Sequence, residues 1–179
     1  MPKRDGSLKA REFVYFCEDQ ILTQLPAGVP QPERRVRWTM LQMHFGNPHV
    51  HFELQPQMGR GVVEAGLHFE GAVEANDAWV ELLAANAADV LGELGPDWEL
   101  EEWTSTWRRL HHPFPFDRLT TELAHEVSGE VVRAMTVLHP LIEEGAAAIA
   151  VATPAPATGR HGGAGRGRRW HRRAGRQGR

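Results

Sequence analysis

Three stretches near the middle of the chain alternate apolar and polar residues with a period of two. They run from about residue 36 to 45, 49 to 55 and 61 to 69, and short segments containing Gly, Asn, Pro or Met separate them. This period is typical of strands that bury one face. The pattern predicts a three-stranded antiparallel meander, which constrains the fold more than any other feature of the sequence.

Helical periodicity flanks the meander on both sides. Apolar residues recur every three to four positions over about 7–25, 74–94 and 117–141, which predicts three helices. Pro140 is expected to kink or end the last one. A fourth strand is predicted from residue 98 to 110, followed by a breaker at 112–116.

Within that fourth strand, Trp103, Ser105 and Trp107 alternate with polar residues and are expected to face the core. The resulting order of elements is αβββαβα. It predicts an α+β fold in which the helices pack on one face of an antiparallel sheet.

Composition indicates one domain with a tail. The 179 residues are 41% hydrophobic and 24% charged, which is typical of a single globular domain. We predict an α+β domain at 1–144 and a disordered tail at 145–179, rich first in Ala and Pro and then in Gly and Arg. Positions 160–179 hold eight Arg and no acid, so positions 1–159 hold 12 basic and 23 acidic residues. An acidic body disfavours a nucleic-acid groove, because phosphate binding depends on Lys and Arg.

The basic tail leaves two interpretations open. It is either an arginine-glycine arm for RNA or another anion, or the by-product of a GC-rich genome, since the chain has 18 Arg and 2 Lys. In the first case nucleic acid binds only through the tail, by charge and by base stacking on a Trp. The residues of that arm are Arg166, Arg168, Arg169, Trp170, Arg172 and Arg173.

Location and redox state follow from what the chain lacks. No run approaches the roughly eighteen apolar residues of a membrane helix, so no membrane contact is expected. Cys17 is the single cysteine and lies on the apolar stripe of the first helix, where a buried hydrophobe is favoured over a nucleophile. We therefore predict a cytoplasmic protein. The common hydrolase, P-loop, zincin and dinucleotide-binding motifs do not occur.

The polar face of the meander carries the candidate site. A two-residue turn at Gly46-Asn47, or the favoured four-residue loop at 45–48, predicts the pair His44–His49. A turn at Met58-Gly59 predicts the pair His49–His68, which gives a row of three His across three strands. Such a row suits a divalent transition metal such as zinc, with Glu53 and Glu64 as further ligands or as a base. The metal candidates are therefore His44, His49, His68, Glu53 and Glu64.

The same face has two other interpretations. It is an interaction surface formed by Trp38, Met40, Gln42 and His51, or a polar face without a task. In either case removal of His51 is expected to cost little stability, whereas Phe52 and Leu67 on the opposite face form the core.

Several segments carry a resemblance: Val-Glu-Ala-Gly-Leu-His-Phe-Glu at 63–70, Glu-Ala-Asn at 74–76, Trp-Glu-Leu-Glu-Glu-Trp at 98–103 and Leu-His-Pro-Leu-Ile at 138–142. With the order of elements, they resemble small uncharacterised αβββαβα domains that bacteria append to restriction-endonuclease-like proteins. The resemblance implies an accessory or recognition module. The same order occurs in the restriction-endonuclease core, where two carboxylates and a Lys hold magnesium. Glu53 and Glu64 would be the carboxylates here, but no Lys follows Lys9.

Two functions are therefore predicted. The first is a non-catalytic bacterial accessory or interaction module, which binds a protein partner or a second copy through the polar sheet face. The alternative is a metal-dependent hydrolase or nuclease-like enzyme with a His/Glu site on that face.

Overall fold

The computed structural model describes residues 6–152 and confirms the α+β class. It contains one six-stranded sheet, whereas four strands were predicted. In chain order the elements are α1 (Ala10–Gln24), β1 (Glu33–Arg37), β2 (Met40–His44), β3 (Val50–Gln57), β4 (Val62–Phe69), α2 (Val73–Ala85), α3 (Ala87–Leu94), β5 (Glu99–Glu102), β6 (Arg108–Pro115) and α4 (Thr121–Ala152).

The sheet is antiparallel throughout, with the strand order β1-β2-β3-β4-β6-β5. The predicted apolar face is confirmed, because its residues on β2, β3 and β4 are buried against the helices. The core formed there includes Leu41, Met43, Phe52, Leu54, Ala65, Leu67 and Phe69 from the sheet, Phe13, Cys17 and Ile21 from α1, and Val127, Val131, Met135 and Leu138 from α4.

The first predicted strand is two strands. A turn at Trp38 and Thr39 separates β1 from β2, and Trp38 adopts a left-handed φ of 58°. The sequence carries no Gly, Asn or Pro there, so no turn was predicted. Tertiary pairing overrides the local preference, and β1 extends the sheet by one strand.

The predicted registers of both hairpins were wrong by two residues. His44 pairs with His51 rather than His49, and His51 pairs with His68. Both turns are longer than predicted: residues 45–49 join β2 to β3, and residues 58–61 join β3 to β4. A shift of two residues preserves the side on which each residue lies, and the predicted faces therefore survive.

The predicted fourth strand and breaker were also wrong. Residues 103–107 form the turn between β5 and β6, and Trp103 and Trp107 are partly exposed instead of joining the core. Trp98 is buried in their place. The predicted breaker belongs to β6. Because β5 pairs only with residues 108–111 of β6, Pro113 and Pro115 lie where β6 has a partner on one side only.

Two details of the helices differ from expectation. The predicted helix at 74–94 is divided at Asn86, whose side-chain amide donates to the carbonyl of Leu82 at 2.9 Å. α4 continues past Pro140 because Leu138 and Ile142, on either side of it, are both buried. The predicted tail therefore begins inside α4, and residues 153–179, with all the arginines of the predicted arm, lie outside the described residues.

Candidate functional site

The sheet face opposite the helices presents ordered rows of polar side chains. Strand pairing aligns one row across all six strands, made of Glu33, His44, His51, His68, Arg109 and Glu101. A second row contains Arg35, Gln42, Glu53, Gly66, His111 and Glu99. The face therefore concentrates imidazole and carboxylate groups at its centre.

The centre of this polar face is buried. His51 is 3% exposed, Glu53 6% and His68 0%. The turn between β5 and β6 contributes to this cover, because Trp103 packs edge-on against His68 with ring centroids 5.2 Å apart. The Arg109 guanidinium lies 5.0 Å from the centroid of the same Trp103 ring. Ionisable groups removed from water in this way need partners.

Four residues form a compact cluster. Two of them lie on β3, one lies on β4 and one directly follows β4. His51, Glu53, His68 and Glu70 each offer one ligand atom, and these atoms lie within 4.8 Å of one another. His51 Nε2 is 3.6 Å from Glu53 Oε2, and His68 Nδ1 is 3.6 Å from Glu70 Oε1. The two imidazole rings are stacked, with centroids 5.7 Å apart. We call these four residues the His/Glu cluster.

His51 and Glu53 are oriented by hydrogen bonds. A carbonyl can only accept, so His51 Nδ1 donates to the carbonyl oxygen of Pro48 at 2.9 Å. The Gln42 amide nitrogen donates to Glu53 Oε2 at 3.1 Å and lies 3.2 Å from His51 Nε2. His51 Nε2 therefore faces Gln42 and Glu53, and it can bind a metal when it carries no proton, as in a metal ligand whose other ring nitrogen is held by a hydrogen bond.

His68 is different, because neither ring nitrogen has a hydrogen-bond partner among the residues that the structure describes. Its side chain is 1% exposed. An imidazole without hydrogen bonds in a site shielded from water is costly. A metal ion held by the cluster would satisfy one of these nitrogens.

The charges within the cluster shift the pKa values of its members. Burial alone would lower the pKa of His51, but the nearby carboxylates of Glu53 and Glu70 and the bond to Pro48 raise it above its ordinary value. Burial would raise the pKa of Glu53, yet the nearby His51 and His68 and the hydrogen bond from Gln42 lower it. The folded protein therefore favours the carboxylate form of Glu53, which binds a cation, and it also favours the protonated form of His51, whose proton a bound metal would displace.

A second polar network lies on the β6 side of the face. Glu64 contacts Arg109 at 2.9 Å and also His111 Nδ1, while Glu101 contacts Arg109 and lies 3.2 Å from His111 Nε2. Burial would raise the pKa of Glu64, but His111, Arg109 and Arg60 lower it. The Glu64 carboxylate is thus already paired with the Arg109 guanidinium.

Gly66 lies between the two networks. It pairs with Glu53 on one side and His111 on the other. A Cβ at this position would come within 2.6 Å of the Leu110 carbonyl oxygen and 2.7 Å of the His111 Cβ. A glycine is therefore required by the close approach of β4 and β6.

The structure brings together only part of the predicted metal set. Glu53 and His68 belong to the His/Glu cluster, whereas Glu64 belongs to the second network. His44 lies next to His51 in the same row but outside the cluster, and His49 is exposed in the turn before β3.

Two cluster members were not predicted as ligands. His51 was assigned to the interaction face, and Glu70 to no role. A signal for both existed in the sequence, because His51-Phe-Glu53 and His68-Phe-Glu70 are two His-x-Glu segments on adjacent predicted strands. Of the other predicted interaction residues, Trp38 is 89% exposed, and Met40 and Gln42 are partly buried.

Comparison with known proteins finds no match among protein families, curated proteins or solved structures. The resemblance to restriction-endonuclease-associated domains therefore stays a prediction. Among the described residues, no helix has the length and apolar character required to cross a membrane.

Proposed function

We propose that this chain is a non-catalytic module that binds a divalent transition metal, such as zinc, through the His/Glu cluster. The observation that carries the proposal is the placement of four ligand atoms within 4.8 Å, one of them on a buried His68 with no described hydrogen-bond partner. Exposed acidic groups often gather without a metal. Here, in contrast, three of the four ligand residues are buried.

The donor set fits zinc. Two imidazole nitrogens and two carboxylate oxygens are common zinc ligands, with bonds of about 2.0–2.2 Å in a tetrahedron. Ligand atoms around such an ion lie about 3.4 Å apart. The observed separations of 3.6 Å between His51 and Glu53 and between His68 and Glu70 are close to that value. Small side-chain rotations would complete the shell.

The number of ligands supports a structural role over the hydrolase alternative. Four protein ligands fill a tetrahedral shell, whereas a catalytic zinc keeps one position for water. Trp103 also covers His68, which limits access to the cluster. A module that uses metal to hold β3 and β4 together agrees with both features. We also propose a cytoplasmic location, which the buried free thiol of Cys17 supports.

The test compares zinc binding by the untagged protein and by two matched His variants. Zinc added to the metal-free protein should raise its melting temperature, because binding to the folded state stabilises it by about 2.7 kcal/mol at a hundredfold excess over Kd. This corresponds to roughly 5–10 °C for a domain of this size. His68→Gln should abolish the rise, and His49→Gln, in the neighbouring exposed turn, should retain it.

Metal content of the protein as purified gives an independent measurement. We expect close to one zinc or similar ion per chain in the wild type and in His49→Gln, and a large loss in His68→Gln. Failure of zinc, manganese, nickel and cobalt to raise the wild-type melting temperature would refute the proposal. An equal rise in all three proteins would assign the binding to other histidines of the chain.

A second candidate function is the interaction role predicted for the polar face. It is favoured by Trp38, a large aromatic residue that is 89% exposed and has a left-handed φ of 58°. Such a conformation is unfavourable for a bulky residue and often marks a functional position.

A further inference from the structure

The two edges of the sheet carry opposite charge. β1 forms one edge with the sequence Glu33-Arg-Arg-Val-Arg37, and β5 forms the other with Glu99-Leu-Glu-Glu102. Within the described part of the chain, β1 pairs only with β2, and β5 only with β6. Each edge therefore presents unpaired backbone N–H and C=O groups that another strand can use.

We propose that the chain self-associates head to tail, with β1 of one copy pairing antiparallel to β5 of a second copy. This inference is independent of the metal site. It places self-association at the edges of the sheet, where the backbone groups are free, rather than on its polar face, whose centre is buried.

The topology determines the orientation of the pair. Six strands that are all antiparallel alternate in direction, so β1 and β5 run in opposite directions. A second copy placed beside the first, with its helices on the same side, therefore brings its β1 antiparallel to β5. Parallel pairing would place the helices of the two copies on opposite sides of the joined sheet, so that Val36 would lie on the polar side of β5.

One register matches charge and polarity at every position. It pairs Arg34 with Glu102, Arg35 with Glu101, Val36 with Leu100 and Arg37 with Glu99. Strand alternation places the Arg35, Arg37, Glu101 and Glu99 side chains on the polar face and the Val36 and Leu100 side chains on the helix side. The joined sheet would thus keep both of its faces continuous.

Other registers fit less well. A shift of two residues brings Glu33 against Glu101 in one direction and Val36 against Glu102 in the other. A shift of one residue places side chains on the wrong face. Two copies of β1 would place Arg35 against Arg35, and like charges directly opposite each other destabilise a pair of strands.

The residues at the edges are available for this pairing. Arg35, Arg37, Glu99 and Glu102 are exposed. Arg35, Arg37 and Glu99 form no ion pair with other described residues. In contrast, Arg34 contacts Glu18 at 3.0 Å, Glu102 lies 3.5 Å from Arg108, and Glu101 contacts Arg109, so Arg35 would join an existing ion pair. Leu100 is 38% exposed, and pairing with Val36 would bury part of it.

The interface joins two different surfaces and is therefore heterologous. Such contacts generate closed rings or open filaments, depending on whether the rotation between copies closes. In either case a copy bound at one edge leaves its other edge free for the next copy.

The experiment measures the mass of the full chain in solution by sedimentation or light scattering. At about 0.1 M salt the average mass should rise above 20.0 kDa as protein concentration increases. At about 1 M salt it should fall towards the monomer, because screening reduces the charge contribution. A mass that stays at 20.0 kDa up to the highest soluble concentration would overturn the proposal.

Two charge-reversed variants locate the interface. Arg35→Glu/Arg37→Glu alters one edge, and Glu99→Arg/Glu102→Arg alters the other; each should be monomeric alone. An equimolar mixture should form a one-to-one complex and nothing longer, because it has one native junction, between the β1 of the second variant and the β5 of the first. The opposite junction joins the two altered strands, and it brings like charges together where position 34 meets 102 and where position 35 meets 101.

A matched control separates this effect from charge in general. Glu126→Arg/Glu144→Arg makes the same charge change as Glu99→Arg/Glu102→Arg, but at exposed positions of α4, and it should associate like the wild type. If both edge variants also associate like the wild type, or if their mixture forms no complex, the β1–β5 interface is wrong. Association would then involve another part of the chain, such as the basic segment 160–179.

Discussion

The two faces of the sheet are similarly buried at its centre, yet they use opposite chemistry. On β3, Phe52 and His51 are neighbours, and they are 2% and 3% exposed. Phe52 faces the helices in the apolar core, while His51 faces the polar rows on the other side. This difference shows that burial alone does not identify a core. The apolar face is stabilised by area removed from water, and the polar face by specific pairs.

The greatest loss of stability should come from the apolar face. Phe52→Ala should lower the free energy of unfolding by about 3–5 kcal/mol, since it removes a buried ring and leaves a cavity. His51→Ala should cost less, about 1–3 kcal/mol, because it leaves the groups that bond to His51 without a partner. Chemical denaturation of both variants measures the difference.

The structure changes the sequence-based expectation for His51, which predicted almost no cost. The bond to Pro48 and the burial of the ring are the reason. A loss for His51→Ala equal to that of Phe52→Ala would contradict the contrast between the faces, because the polar face would then contribute as much as the core. No measurable loss would show that the polar face is open to water in solution.

Disruption of the second network should cost less stability than Phe52→Ala. Arg109→Ala removes an ion pair with buried Glu64 and should cost up to about 3 kcal/mol. This loss of stability is at the lower end of the range expected when a buried ion pair is broken, because His111 still contacts Glu64. Glu64→Gln combined with Arg109→Ala should lose less than the sum of the single variants, which a double-mutant cycle checks. Additive losses would mean that the two residues do not interact.

The smallest change in the free energy of unfolding is expected when the pH is lowered. The pKa of Glu64 is lower in the folded protein than its ordinary value of 4.5. Its contribution to stability is therefore present above that value and is lost as the pH falls through the lower folded pKa. Unfolding free energies measured from pH 6 to pH 3 should fall less steeply for Glu64→Gln than for the wild type. Identical slopes would contradict the pairing of Glu64 with Arg109 and His111.

Much of the sheet could be predicted because strand alternation is a local property. The side of the sheet taken by Leu41, Phe52 and Leu67 follows from a period of two in the sequence, and the structure confirms it. The registers could not be predicted, because they depend on turn lengths. The turns contain five and four residues, and turn residues such as Gly46-Asn47 do not specify that count.

The candidate site shows the same limit. The concentration of His and Glu on the polar face was predictable. Which of these residues form the cluster depends on the observed register, which places His51 where His49 was expected. The role of Trp103 was unpredictable for another reason. An alternating Trp-x-Ser-x-Trp segment is typical of a strand, and only the turn between β5 and β6 places Trp103 over His68.

The spacing of apolar residues along the chain was sufficient to predict the class of fold and the face of each residue on the meander. It was not sufficient to predict which residues meet: His51 with His68, Glu64 with Arg109, and β1 and β5 at the two opposite edges. Periodicity is set by backbone geometry within one element, so a short stretch of sequence contains it. Register, burial of the polar face and the choice of edge strands depend instead on packing between elements that are distant in the chain.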